Sequence, residues 1–215
     1  MSDTDQVAAL SGEVRPHILV NCAGVGILAA LENTTTDDWD RILGINLLGP
    51  INLVRAFLPA LKAGGGGHIV NIASGLGLFA FPGFGAYSTS KFALVGYSEA
   101  LSVELAKYGI SVTTVCPGVT ETAILGPSDA GEFQRTDRIA HRLLPLIGTT
   151  PERLSSIVID AIKRDKHLVV HTWPFRLLFL FKRLSPGLFH RFVSILYRVA
   201  MRLKRDTAGS QPSPQ

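Results

Sequence analysis

The sequence predicts an α/β fold built on a parallel, doubly wound sheet. Short β-branched apolar runs alternate with longer segments of helical spacing, the pattern of parallel strands joined by right-handed crossover helices. The 21 glycines against 2 tryptophans suit many tight strand-to-helix turns. A length of 215 residues, 47% of them hydrophobic and 18% charged, gives a globular chain able to bury a core and excludes a disordered or fibrous one.

Residues 3–14 read as a short helix. His17-Ile18-Leu19-Val20-Asn21-Cys22 reads as a buried strand closed by Ala23-Gly24. Thr34-Thr35-Thr36-Asp37-Asp38 is a helix start, with hydroxyls to cap free N–H groups and acids at the positive end of the dipole. The helical pattern runs to Lys62, with Pro50 marking a local distortion. After the turn Gly64–Gly67 comes the buried strand His68–Ala73, ending at Ser74. A glycine-rich loop, 75–85, leads to a helix over 86–107. The strand Ser111–Cys116 is stopped by Pro117-Gly118. Thr150-Pro151-Glu152 opens another helix, with proline at its first position, and His167–Val170 is a short last strand.

The net charge of +4 is unevenly spread. Eight Lys/Arg and no acid lie between Pro174 and Arg205, so the rest of the chain is mildly acidic. A globally basic nucleic-acid binder would spread its charge differently, and no nucleic-acid motif is present. Cys22 and Cys116 have neither metal-ligand spacing nor a disulfide framework, so they read as buried thiols of a reducing compartment. No metal is expected. Residues 1–13 are polar and give no signal peptide, and no apolar run approaches the length of a membrane span. The expected location is cytoplasmic.

Tyr87-Ser88-Thr89-Ser90-Lys91 places a phenol and an ammonium at i and i+4, on one helix face. A nearby cation favours phenolate, so Lys91 is expected to lower the Tyr87 pKa and ready it for proton exchange with an alcohol or carbonyl. Alone, such a pair is weak evidence. Its context is stronger, because Ser74 sits at the carboxyl end of a strand, the edge where open α/β sheets bind ligands. Asn21-Cys22-Ala23-Gly24 and Pro117-Gly118 end the neighbouring strands at that edge.

These motifs resemble the short-chain dehydrogenase/reductase family in its classical form, over about residues 3–170. The family's Asn-Asn-Ala-Gly appears as Asn21-Cys22-Ala23-Gly24, with cysteine second. Its serine matches Ser74, its Tyr-x-x-x-Lys matches Tyr87 and Lys91, and its helix asparagine matches Asn46. Its Pro-Gly with downstream threonine matches Pro117, Gly118 and Thr122. The resemblance implies a Rossmann-like sheet and an oxidoreductase using NAD or NADP. It implies that Tyr87 is the general acid/base and that Lys91 lowers its pKa and holds the nicotinamide ribose. Ser74 would orient the substrate oxygen, and Asn46 would hold a water in a proton relay. Asn21, Ala23, Gly24, Pro117, Gly118 and Thr122 would line the cofactor.

The family pattern begins with a strand, a Thr-Gly-x-x-x-Gly-x-Gly turn and two further strands, and none of this is in the sequence. The expectation is a Rossmann-like sheet without its first three strands, from a protein that starts upstream of Met1. Gly64–Gly67 precedes a strand rather than a helix and reads as a plain turn. Without the anion site at a helix N-terminus, the chain is expected to bind dinucleotide poorly. The strand at 17–22 is expected to carry an unpaired apolar edge.

The predicted organisation is a partial dehydrogenase domain over 1–172, an apolar and basic helical extension over 173–205, and a disordered tail over 206–215. In the extension, Leu188, Phe189, Phe192, Val193, Leu196, Val199, Ala200 and Leu203 follow helical spacing, while Arg191, Arg198, Arg202 and Arg205 share another face. Two readings share this pattern: an interfacial helix giving peripheral membrane contact, and a helix packed on its own domain or a dimer partner. Homo-oligomerisation is expected through helices 36–62 and 86–107. Apolar segments flank the crevice at Leu76, Leu78, Phe79, Phe81 and Phe84, and at Leu143, Leu144, Leu146 and Ile147. They suggest a lipophilic alcohol or ketone as substrate. The rival reading is a non-catalytic fragment that only associates with a membrane or a partner subunit.

Overall fold

The computed structural model describes residues 4–119 and 148–208. Its elements are α1 (Thr4–Glu13), β1 (Ile18–Asn21), α2 (Thr36–Leu43), α3 (Gly49–Ala63), β2 (Gly67–Ile72), α4 (Gly85–Ala106), β3 (Ile110–Cys116), α5 (Pro151–Lys163), β4 (Leu168–Val170), α6 (Trp173–Leu184) and α7 (Pro186–Ala208). The four strands form one parallel sheet in the order β1-β2-β3-β4.

Successive side chains of a strand face opposite ways, and the core follows that period. On one face Ile69 and Val112 pack against Val54 and Leu61 of α3 and Leu101 and Leu105 of α4. On the other, Val70, Val115 and Val169 pack against Ala161 of α5, with Leu154, Ile157 and Val158 beside them. Helices on both faces make the sheet doubly wound. Burying each such side chain contributes roughly 1.5–3 kcal/mol.

The threonine-acid start of α2 forms a capping box. Thr35 Oγ1 accepts from the Asp38 N–H at 3.1 Å, and an Asp38 carboxylate oxygen accepts from the Thr35 N–H at 3.1 Å. The helix expected over 36–62 is interrupted by a π turn, Gly44–Leu48, in which the Gly49 N–H bonds the Gly44 carbonyl. Pro50 follows directly, and a proline has no N–H for the carbonyl one turn back, so the widened turn relieves the clash its ring would make. Thr36–Ala63 is apolar and long enough to pass for a membrane span, which the sequence reading overlooked. Its side chains Ile42, Val54, Phe57 and Leu61 are buried, as in a core helix.

Three further differences have physical causes. The strand read as buried at 17–22 leaves Ile18 and Val20 nearly half exposed, because β1 pairs only with β2 among the described residues. Cys22, expected buried, is exposed just beyond the strand end, whereas Cys116 is buried. Residues 206–208, expected in a disordered tail, belong to α7, which continues to Ala208; the rest of that tail lies outside the described residues.

The glycine run between α3 and β2 is a turn at the amino edge of the sheet. Gly65 and Gly66 have φ of 82° and 128°, and a Cβ on Gly66 would stand 2.5 Å from the Gly109 carbonyl oxygen. Their role is close passage of two turns, which only glycine permits here.

The chain divides into two compact units, Met1–Arg176 and Leu177–Gln215. The second holds most of α6 and all of α7. Within it, Phe181, Phe189 and Phe192 gather with ring centroids 5.6–6.5 Å apart.

Candidate active site

All four strands run the same way, so their carboxyl ends share one edge. Asn21 is the last residue of β1, Ser74 follows β2, Pro117-Gly118 follow β3, and His171-Thr172 follow β4. Ser74 has an extended backbone, and its Oγ accepts from the Leu76 N–H at 3.1 Å, which turns the chain away from the sheet.

Helix α4 brings Tyr87 and Lys91 to this edge. Both are buried, at 7% and 4% exposure, which excludes a solvated surface pair. The Ser74 hydroxyl lies near enough to the Tyr87 phenol to favour its ionised form. Lys91 Nζ donates to the Ile72 carbonyl at 2.9 Å and stands 5.9 Å from the centre of the Tyr87 ring. The three side chains expected to act together are therefore gathered in one place.

Asn46 completes the cluster from the π turn. Its Oδ1 accepts from the Val25 N–H at 2.8 Å, and its Nδ2 donates to the Val25 carbonyl at 2.9 Å and to Ser90 Oγ at 3.0 Å. Asn46 thus holds the 21–25 segment as well as facing the site. Gly24 lies between two of these groups. A Cβ there would be 3.3 Å from Asn46 Oδ1 and 3.4 Å from Lys91 Nζ.

Asn21 is buried, and its Nδ2 donates to Asn71 Oδ1 at 2.7 Å; Asn71 Nδ2 in turn donates to Ser98 Oγ at 2.8 Å. Asn21 Oδ1 is a buried acceptor with no partner among the described residues. Ala23 is exposed beside it. Pro117 accepts from the Gly75 N–H at 2.7 Å, joining the loops that follow β2 and β3. Gly75 and Gly118 are both closed over by Phe175, and Gly118 also by Thr172. Thr122 and the segment Leu143–Ile147 lie outside the described residues.

Of the residues expected to flank a substrate, Leu78 and Phe79 are instead core, at 6% and 0% exposure. Phe79 stacks edge-on against Phe81 and leans on Phe175, so its ring is used for packing. Leu76, Phe81 and Phe84 stay half-buried, and Phe84 meets the Tyr87 ring edge-on at 6.4 Å.

The electrostatics correct one expectation. The Tyr87 pKa is raised rather than lowered: burial penalises the phenolate, the nearby Ser74 hydroxyl opposes that, and the Cys116 sulfur adds to it. Burial also pushes the Lys91 ammonium down to about 8, with the Cys22 and Cys116 sulfurs opposing. The Cys116 thiol is pushed up to about 12, again by burial. Lys91 sits one turn from Tyr87, yet its charge is directed at the Ile72 carbonyl.

Sequence reasoning missed Asn71, Ser90 and Phe175. Asn71 is a polar residue inside an apolar strand, which was a usable signal. Ser90 lies within the Tyr-Lys motif but gives no sign of its bond to Asn46. Phe175 sits in an aromatic run that looks alike throughout.

A family model described as short chain dehydrogenase matches residues 1–132. The chain belongs to the short-chain dehydrogenase family. Over 167 residues it is 35% identical to the glycine betaine reductase ATRR of Emericella nidulans, covering 77% of this chain and 13% of that protein. It is 35% identical over 175 residues to SadH of Mycobacterium tuberculosis, covering 79% of this chain and 62% of that one. The short-chain dehydrogenase chain therefore spans less than two thirds of either relative. A Burkholderia phymatum short-chain dehydrogenase/reductase solved with NAD superposes with a TM-score of 0.76 at 25% identity, covering 87% of this chain and 74% of that one. A Burkholderia cenocepacia short-chain dehydrogenase solved with NADP shares the fold, with a TM-score of 0.74 at 23% identity over 89% and 75% of the two chains.

Proposed function

We propose that this protein is an NAD- or NADP-dependent oxidoreductase that interconverts an alcohol with a ketone or aldehyde. The observation that carries the proposal is the buried gathering of Ser74, Tyr87 and Lys91 at the carboxyl edge of the sheet. In the reducing direction Tyr87 Oη gives its proton to the carbonyl oxygen as that oxygen becomes a hydroxyl. In the oxidising direction it receives the proton of the alcohol. Ser74 Oγ donates a hydrogen bond to the same oxygen and orients it. Bound nicotinamide supplies or accepts the hydride.

The residues present fit the nicotinamide-ribose end of such a cofactor. Gly24 leaves the space a Cβ would fill beside Lys91 Nζ and Asn46 Oδ1, and Lys91 offers donors there to ribose hydroxyls. Asn21, Ala23, Pro117 and Gly118 are assigned to the walls of that site. No glycine-rich phosphate turn occurs in the sequence, and Gly64–Gly67 lies at the opposite edge. Dinucleotide binding by the 215-residue chain is accordingly weak in this proposal.

Leu76, Phe81 and Phe84 support a lipophilic substrate. Association of two copies through helices 36–62 and 86–107, which carry the exposed Leu48 and Val103, is part of the same proposal. The proposed location is cytoplasmic. The second reading, an associating protein without catalysis, is favoured by one observation: the half-exposed apolar edge of β1, which offers a strand surface to another chain.

The test is consumption of NADH or NADPH by the chain with a panel of lipophilic ketones and aldehydes. Turnover at high cofactor concentration supports the oxidoreductase. Its absence, with retained self-association, favours the second reading.

A further inference from the structure

We propose that the helical hairpin of α6 and α7 docks on the surface of an anionic lipid bilayer. The hairpin uses some of its apolar residues internally. Phe181, Phe189 and Phe192 meet ring to ring, and Phe189 is 6% exposed. These contacts leave a second apolar set outside. On α6, Leu177, Leu180 and Leu184, at spacings of three and four, are exposed. On α7, Leu188, Ile195, Leu196 and Val199 are exposed, falling at i, i+7, i+8 and i+11. Those spacings return to one helix face, so each helix keeps an outward apolar stripe after its inner aromatic contacts are made.

The flank of the α7 stripe decides the occupant. Arg191, Arg198 and Arg202 lie at spacings of seven and four, in a row beside Leu188, Ile195 and Val199, and all three are exposed. The segment from Pro174 to Arg205 has no aspartate or glutamate. A second copy of the same surface would set these arginine rows against each other with no acid to meet them. A bilayer rich in acidic lipid takes both features at once. The leucines and isoleucine enter the boundary between headgroups and acyl chains, while the arginines extend sideways to phosphate and carboxylate groups.

The whole chain is mixed with vesicles of phosphatidylcholine alone and of phosphatidylcholine with phosphatidylglycerol, and pelleting is measured at low and raised salt. The protein is expected to pellet with the acidic vesicles only and to be released by salt. The triple variant Arg191→Gln, Arg198→Gln, Arg202→Gln is expected to bind at least tenfold more weakly, and Ile195→Ser with Val199→Ser likewise. Both variants are checked for wild-type helix content by circular dichroism. Equal pelleting with neutral vesicles, no pelleting at all, or unchanged binding by the arginine variant would overturn the proposal. So would a stable dimer that the Ile195→Ser, Val199→Ser variant dissolves, since the stripe would then seat a second copy.

Discussion

Lys91 Nζ donates to the backbone carbonyl of Ile72 across 2.9 Å, tying helix α4 to the last residue of β2. The bond places a cation inside the protein, and burial lowers its pKa from 10.5 to about 8. The unfolded chain therefore holds that proton up to higher pH than the folded protein does. Below pH 8 both states carry it and the cost of burying the charge is constant. Between pH 8 and 10.5 the unfolded chain binds more protons, so stability rises with pH. Urea unfolding of wild type and Lys91→Met should differ by a margin that shifts by about 2–3 kcal/mol in favour of wild type across that window. A margin independent of pH would show that Lys91 is not held as a buried cation.

Asn46 is expected to matter to stability as well as to chemistry. Asn46→Ala removes three hydrogen bonds and strands the Val25 N–H and carbonyl, while the Ser90 hydroxyl keeps its bond to the Tyr87 carbonyl. Loss of about 2–4 kcal/mol is expected by chemical denaturation, against about 1 kcal/mol for Ser90→Ala.

Gly75 and Phe175 should be coupled. A methyl at Gly75 would collide with the Phe175 ring, so Gly75→Ala is expected to cost about 1–3 kcal/mol. Phe175→Ala removes the obstacle, and the double variant should be more stable than the sum of the two single losses implies. Strict additivity would place the ring elsewhere.

His68 gives a second pH dependence, of opposite location. It is buried beside Thr113, whose hydroxyl donates to the Lys166 carbonyl, so the imidazole Nε2 is 2.7 Å from an oxygen that needs a donor. Burial lowers its pKa from 6.5. Its contribution is complete above pH 6.5 and is lost as pH falls through the lowered value, because the unfolded chain takes the proton first. In His68→Gln the decline of thermal stability below pH 6.5 should be shallower than in wild type.

Much of the architecture was legible because its signals are local. Strand runs such as Ile69–Ile72, the Thr35–Asp38 cap and the proline at the start of α5 each act through nearest neighbours in the chain. The gathering of Ser74, Tyr87 and Lys91 was legible because parallel strands place all their carboxyl ends together. What escaped depends on distant partners. The sign of the Tyr87 shift is set by how deeply the phenol is buried, and a motif does not state depth. Phe79 reads as a pocket aromatic until Phe175 is seen against it. The π turn at Gly44–Leu48 could be sensed at Pro50 but not located, because the carbonyl it spares lies a full turn earlier.

The central claim, that the Tyr87 phenol is the proton carrier, is tested most directly by comparing wild type with Tyr87→Phe. The measurement is the turnover of a lipophilic ketone at high NADH or NADPH, with cofactor binding followed in parallel by fluorescence. The variant should bind cofactor as wild type does and lose about 10²–10⁴-fold in kcat. Equal turnover by the two proteins would contradict the account.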